Sequence, residues 1–145
     1  MGTIKAICTS DVKGIQKTET TSVELRPNWG IEDDAHAGNW HRQVSLLGYE
    51  KIEEFKARGA NVANGSFGEN LIVEGFDLKS LPIGTRLRAG DAELELTQIG
   101  KECHARCAIY HKMGDCIMPR EGVFCKVIQG GRITLGDRID LIEPR

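Results

Sequence analysis

Glycine constrains the fold of this chain more than any other residue, because seventeen glycines divide its 145 residues into short apolar runs. Runs of four to eight residues between turn-forming residues are typical of strands, whereas long helices need longer periodic segments. Leu71–Val73, which ends before Gly75, has the character of a buried strand. Asp91–Gln98 alternates apolar and polar residues, so one face of that strand should be buried. Four further runs are strand-like: 3–8, 43–47, 123–128 and 138–142.

Three local patterns refine this prediction. Ile83–Leu87 resembles Leu135–Ile139, each with an apolar residue and a glycine before a strand, so both should start strands of the same sheet or barrel. Gly130-Gly131 is a candidate hairpin turn between two strands. Tyr49–Arg58 has helical spacing of its apolar residues, with Gly59 as a candidate C-cap. The sequence therefore predicts one mainly β domain over residues 1–145, with few short helices.

Charge and composition limit the classes of function. A formal net charge of -2 gives no general attraction to nucleic acid or to an anionic membrane surface. The N-terminus lacks a secretory apolar segment, and no stretch approaches the ~20 apolar residues of a membrane span. Five cysteines, an odd number in a chain without an export signal, make a disulfide framework a poor explanation. We expect a cytoplasmic protein that binds neither nucleic acid nor membrane.

Three of the cysteines, Cys103, Cys107 and Cys116, lie close together among basic residues that include Lys101 and Arg120. Neighbouring positive charge favours the reactive thiolate. One interpretation is a nucleophile or sulfur carrier activated by these cations. A second is a zinc site, although no closely spaced C-x2-C pair occurs. The third is that the thiols are small core residues.

Two polar blocks are candidate ligand-binding loops. Asp34 and His36 could bind a metal or form an acid–base pair, or Asp34 could cap a turn while His36 satisfies buried backbone. His41 and Arg42, which run directly into a strand, would suit an anion. Glu69-Asn70 stands before the buried run at 71–73, where it could meet a ligand or simply form a turn.

Taken in order, these segments resemble the MOSC domain, the module named after the C-terminal part of molybdenum cofactor sulfurase. The resemblance rests on four ordered blocks: Gly30 to Leu47, Phe67 to Leu71, Leu81 to Gln98, and Gly122 to Ile142. Cys103 stands where the family has its signature cysteine, and Arg106-Cys107 resembles the molybdenum-ligating position of amidoxime-reducing relatives.

The resemblance implies a compact β-barrel of the type compared with the pyruvate kinase barrel domain. It also implies sulfur transfer or binding of a molybdenum-pterin cofactor, in molybdenum cofactor or metal–sulfur cluster metabolism. Cys103 would accept persulfide sulfur, with Lys101 and Arg120 supporting the thiolate. Six residues would line the cofactor pocket: Asp34, His36, His41, Arg42, Glu69 and Asn70.

The implied partners are a cysteine desulfurase or another sulfur donor, and proteins of molybdenum cofactor biosynthesis or molybdoenzymes. Pyridoxal phosphate would belong to the donor, because no PLP machinery is identifiable in this chain. Two alternatives remain open. Cys103 or Cys107 could ligate molybdenum directly, or the chain could be a non-catalytic zinc-binding or protein-interaction module.

Overall fold

The computed structural model of the protein describes residues 2–12, 16–75, 77–100 and 121–142. The strands within these ranges are β1 (Gly2–Thr9), β2 (Thr18–Thr20), β3 (Ser22–Arg26), β4 (Gly30–Ile31), β5 (Val44–Gly48), β6 (Leu71–Glu74), β7 (Arg86–Ala89), β8 (Ala92–Ile99), β9 (Val123–Gln129), β10 (Gly131–Thr134) and β11 (Arg138–Leu141). They also contain the helix α1 (Tyr49–Ala57) and a 3-10 turn at Leu78–Ser80.

Seven strands form a closed barrel in the order β11-β7-β8-β9-β5-β6-β1, and β1 pairs with β11 to complete the ring. Neighbouring strands are antiparallel except β5 and β6, which are parallel. β2 lies on the free side of β1, and a small separate sheet has the order β10-β3-β4. The mainly β fold and the barrel expected from the sequence are confirmed.

The interior of the barrel is filled by residues that alternate along the strands. On β8, Ala92, Leu94 and Leu96 are fully buried, as the alternation in the sequence predicts. They pack in one apolar cluster with residues from β1, β5, β6, β7, β9 and β11. Burial of each leucine side chain contributes roughly 1.5–3 kcal/mol, so this cluster holds the ring together.

A second apolar cluster lies between α1 and the outside of the barrel. Ile52 and Phe55, three residues apart, face inward from α1, whereas Lys56 pairs with Glu53 on the opposite, exposed side. β9 contributes Phe124, whose neighbours in the strand face the barrel interior. β9 is therefore buried on both faces.

Two of the three local predictions are confirmed, and one is wrong. β7 and β11, which follow the two similar segments, pair directly, and α1 ends before Gly59, whose φ is 102°. Gly130-Gly131 is not a hairpin turn, because β10 pairs with β3 instead of β9. Glycine at Gly131 instead allows two backbone segments to lie close together, because a Cβ at Gly131 would lie 2.7 Å from the Asp91 carbonyl oxygen.

No described helix has both the length and the apolar character that crossing a membrane requires.

Candidate functional site

Residues on the two sides of the interval between Gly100 and Glu121 are held together. Gly100 N–H donates to the carbonyl oxygen of Gly122 at 2.6 Å, which extends the pairing of β8 with β9. Glu121 is largely buried and pairs with Lys79 at 2.9 Å. We call the paired end residues Gln98–Gly100 and Gly122–Phe124 the stem. Four predicted site residues, Lys101, Cys103, Cys107 and Arg120, lie outside the described residues.

His41 lies against the stem, although it is far from it in sequence. His41 Nε2 lies 2.7 Å from Gln98 Oε1. The Thr97 hydroxyl lies within hydrogen-bond distance of two carbonyl oxygens, those of His41 and Phe124, the latter at 3.1 Å, and its single hydrogen is shared between them. A change in register between Leu96 and Gln98 marks a β-bulge there, a feature that re-aims side chains at functional sites.

Arg42 is half-buried at the same place and lies near two aromatic rings. Its Cζ lies 4.6 Å from the ring centroid of Trp40 and 5.6 Å from that of Phe124, distances that allow cation–π attraction. Trp40 is itself fixed, because its indole N–H donates to the carbonyl oxygen of His36 at 2.8 Å. Arg42 Nε is buried without a hydrogen-bond partner in the described part of the chain. An anionic or carbonyl acceptor would satisfy it.

Asp34 forms the most deeply buried ion pair among the described residues, with Lys17. Asp34 Oδ1 lies 2.8 Å from Lys17 Nζ, and their side chains are 0% and 1% exposed. The carboxylate also accepts the N–H groups of Ser10 and His36, each at 3.1 Å. These contacts match the interpretation in which Asp34 caps a turn. His36 Nδ1 lies 3.9 Å from Asp34 Oδ2, and its side chain is 30% exposed.

Glu69 is fully buried and holds the loop before β6. Its two carboxylate oxygens accept the N–H groups of Gly65 and Phe67, each at 3.0 Å. Burial raises the pKa of the Glu69 carboxyl, while these hydrogen bonds and the charge of Lys17 act in the opposite direction.

Asn70 is also fully buried and connects three strands. Its Oδ1 accepts the backbone N–H of Ser45 at 3.0 Å, and its Nδ2 donates to the carbonyl oxygen of Cys8 at 3.1 Å. The end of β1 thus lies between the Asn70 and Asp34 blocks, because Cys8 contacts one and Ser10 the other. Direct cofactor contact by Asp34, Glu69 or Asn70 stays a prediction.

Sequence reasoning missed Lys17, Thr97 and Gln98. Lys17 stands in a polar stretch without periodicity, so nothing nearby indicates a buried cation. Thr97 and Gln98 complete the alternating pattern of β8, which conceals the bulge and its contacts with His41.

Comparisons with known proteins agree with this architecture. A family model described as MOSC domain matches residues 33–140 of the chain. YuaD protein from Bacillus subtilis has a similar structure, with a TM-score of 0.80 and 21% identity over 96% of this chain and 94% of that one. YiiM from Geobacillus stearothermophilus gives a TM-score of 0.76 and 24% identity, covering 99% of this chain and 76% of that one.

YiiM from Escherichia coli is also similar, with a TM-score of 0.71 and 18% identity over 100% of this chain and 71% of that one. At these identities the structural likeness shows the fold alone. A comparison with curated proteins finds no match. The prediction of one domain over residues 1–145 stays a prediction.

Proposed function

Because this chain belongs to the MOSC domain family, we propose that it is a sulfur-carrier or molybdenum-pterin cofactor-binding module in which Cys103 accepts persulfide sulfur. The family is associated with molybdenum cofactor sulfurase-type function and linked to binding of that cofactor. The proposed setting is molybdenum cofactor or metal–sulfur cluster metabolism.

The observation that carries the proposal is the state of the two described cysteines. Cys8 and Cys125 are both fully buried. Burial raises the pKa of the Cys8 thiol to about 12, with further effects from nearby Glu69 and Glu19, and burial also raises the pKa of Cys125. A buried, protonated thiol is a poor nucleophile. Thiol chemistry in this chain therefore falls to the three cysteines between Gly100 and Glu121.

The loop residues beside the stem include groups that fit an anionic pterin cofactor. Arg42 provides a guanidinium with a buried Nε that lacks a partner among the described residues, and guanidinium matches phosphate oxygens. The rings of Trp40 and Phe124 lie 4.6 and 5.6 Å from its Cζ, within range of cation–π attraction. When bound, the cofactor would supply a metal centre that accepts sulfur. Arg42 and His41 would hold its anionic part, and His36 would contribute from the same loop.

The sulfur step follows from thiol–disulfide chemistry. The thiolate of Cys103 attacks the terminal sulfur of a persulfide on a donor such as a cysteine desulfurase. A new S–S bond forms at Cys103, the donor's S–S bond breaks, and the donor cysteine leaves as a thiolate. Lys101 and Arg120 would favour the attacking thiolate electrostatically. Pyridoxal phosphate would remain on the donor, and a molybdenum cofactor or molybdoenzyme protein would be the acceptor.

Persulfide loading tests the proposal. The parent, Cys103→Ser, Cys107→Ser and Cys116→Ser proteins are purified anaerobically, incubated with a cysteine desulfurase and cysteine, and analysed by intact mass. We expect an added sulfur of about 32 Da on the parent that is lost only in Cys103→Ser. Loading lost only in Cys107→Ser moves the role to Cys107, whereas normal loading of all three variants contradicts the sulfur-carrier function. Elemental analysis of the same samples distinguishes bound molybdenum from the zinc expected of an interaction module.

Iodoacetamide labelling tests the assignment by exclusion. We expect Cys8 and Cys125 to stay unlabelled at pH 8 in the native protein and to react once urea unfolds it. The triple variant Cys103→Ser/Cys107→Ser/Cys116→Ser isolates these two thiols. Rapid labelling of that folded variant would contradict the argument.

A further inference from the structure

A second concave region lies on the outer surface of the barrel, over β7. Its cavity has a volume of about 740 Å³, within the range of ~300–1,000 Å³ that is usual for small-molecule sites. Glu93, near the start of β8, is one of its lining residues, whereas Gln98 of the stem lies five positions further along the same strand. At ~3.3 Å per residue the two places are roughly 16 Å apart, so this cavity is separate from the stem.

The apolar part of this cavity is held in place by hydrogen bonds. Four apolar residues contribute to the lining: Leu81, Pro82, Leu141 and Ile142. The Ile142 N–H donates to the carbonyl oxygen of Arg86 at 2.9 Å, which fixes the end of β11 against β7. The Thr85 hydroxyl donates to the carbonyl oxygen of Pro82 at 2.6 Å, which fixes the loop before β7. A ligand would not need to order these segments, and such preorganisation favours binding.

Two arginines of β7 line the same cavity, and they differ in how far their charges are already paired. Arg86 contacts two carboxylates, because its Nη1 donates to Glu93 Oε2 at 3.1 Å and its Nη2 lies 3.5 Å from Glu95 Oε1. The Nη2 atom of Arg88 lies 3.7 Å from Glu93 Oε1, which is beyond hydrogen-bond distance. Arg88 is therefore the less fully paired of the two guanidiniums.

The donors of Arg88 are available to a ligand. Asp140 lies opposite Arg88 in the register of β11 with β7, but it hydrogen-bonds Arg138. No described residue accepts a hydrogen bond from the Arg88 guanidinium, whose side chain is 49% exposed. A guanidinium presents a planar fork of N–H groups that matches a carboxylate. The charges of Arg86 and Arg88 are balanced by those of Glu93 and Glu95, so one added negative charge fits here better than several.

We propose that this cavity binds a small organic anion of single charge that has an apolar body. The carboxylate of the ligand lies against Arg88, and its apolar body lies against Leu81, Pro82 and Leu141. An extended polypeptide does not fit as the ligand, because β7 is hydrogen-bonded to β11 on one edge and to β8 on the other and cannot accept a further strand. This site needs no sulfur chemistry, so it stands apart from the function proposed above.

Amide NMR of ¹⁵N-labelled protein tests this proposal with three probes. 1-Naphthoate carries both the charge and the apolar body, 1-naphthamide is its neutral analogue, and acetate carries the charge alone. We expect 1-naphthoate to shift the amide signals of Gly84, Thr85 and Ile142 with a Kd of about 1 mM, the value that a typical ligand efficiency gives for about 13 non-hydrogen atoms. 1-Naphthamide should bind about 5- to 10-fold more weakly, and acetate should cause no saturable shift at the same concentrations.

Variants of the two kinds of lining residue separate the charge from the apolar contact. Arg88→Gln should weaken the binding of 1-naphthoate about 5- to 10-fold and leave that of 1-naphthamide unchanged. Leu141→Ala should weaken the binding of both probes, because both use the apolar wall. Arg58→Gln, which changes an arginine at the end of α1, is the matched control and should keep the parent affinities.

Three results would overturn the proposal. The first is the absence of a saturable shift at Gly84, Thr85 and Ile142 up to about 10 mM 1-naphthoate. The second is equal affinity for 1-naphthoate and 1-naphthamide, or a parent-like Kd in Arg88→Gln, since either would remove the anion from the site. The third is a set of shifts confined to residues 34–42, which would place the anion at the Arg42 loop. The amide spectrum of each variant also reports whether it is folded.

Discussion

Replacement of Lys17 by methionine tests how the Asp34 loop is held. The change removes the cation from an ion pair whose two side chains are 1% and 0% exposed, and it preserves most of the side-chain volume. Removing one member of a buried pair commonly costs 3–5 kcal/mol, because the remaining charge is left without compensation. Asp34 would keep its bonds to the N–H groups of Ser10 and His36, which offset part of that cost. The lower end of the range, about 3 kcal/mol, is therefore expected.

Urea unfolding, followed by tryptophan fluorescence and circular dichroism, provides the measurement. A loss of about 3 kcal/mol with a slope near 1.5 kcal/mol/M moves the midpoint by about 2 M. Lys56→Met is a matched control, because it removes a lysine from a pair at 3.8 Å whose side chains are 38% and 46% exposed. That surface pair should contribute about 0.5 kcal/mol or less.

The double variant Lys17→Met/Asp34→Asn isolates the pairing itself. Removing both charges should recover part of the stability lost in Lys17→Met, because no unpaired buried charge remains. A loss below about 1 kcal/mol in Lys17→Met, equal to that of the Lys56→Met control, would refute the reasoning.

Two further predictions concern the loop before β6. Burial raises the pKa of Glu69, so the folded state binds this proton more tightly than the unfolded chain. The stability that this proton contributes should be present at low pH and lost as the pH rises from near 4.5 through the folded-state pKa. Urea unfolding across that interval should show this loss of unfolding free energy in the parent and not in Glu69→Gln. Gly65→Ala should lower the free energy of unfolding by about 3 kcal/mol or more, and Gly136→Ala by about 1 kcal/mol. Both glycines have φ near +90°, but only at Gly65 would a Cβ overlap a neighbouring atom, the carbonyl oxygen of Lys17. Equal thermal shifts for the two alanine variants would show that strain alone, and not the close approach, decides the cost.

Local pattern was sufficient to predict most of the barrel. Alternation along Asp91–Gln98 predicts the inward face of β8, and the likeness of Ile83–Leu87 to Leu135–Ile139 anticipates two strands that prove to be neighbours. The pairing of β10 with β3 joins residues about 110 positions apart. Nothing in the short segment after Gly130 distinguishes that distant partner from an adjacent strand, because register depends on tertiary packing.

The sequence indicated which residues belong to the candidate site, but not what each of them contacts. The polar block around Asp34 and Arg42 stands out in the sequence because it lacks apolar periodicity. Whether a carboxylate faces a ligand or a buried lysine depends on what the fold brings near it. The fold brings Lys17 to Asp34 across 17 positions of sequence, and it brings Gln98 to His41 across 57.

Phe124 contacts both the candidate site and the apolar cluster that supports the helix α1. With nine residues, α1 is too short to persist alone in water, so it depends on the second apolar cluster that Phe124 helps to form. The same ring also contacts the guanidinium of Arg42, whose Cζ lies 5.6 Å from the ring centroid. A ligand that immobilises Arg42 should therefore raise the free energy of local opening beneath the helix. Amide hydrogen exchange along α1 becomes a remote reporter of whether the site is filled, with no label placed in the site itself.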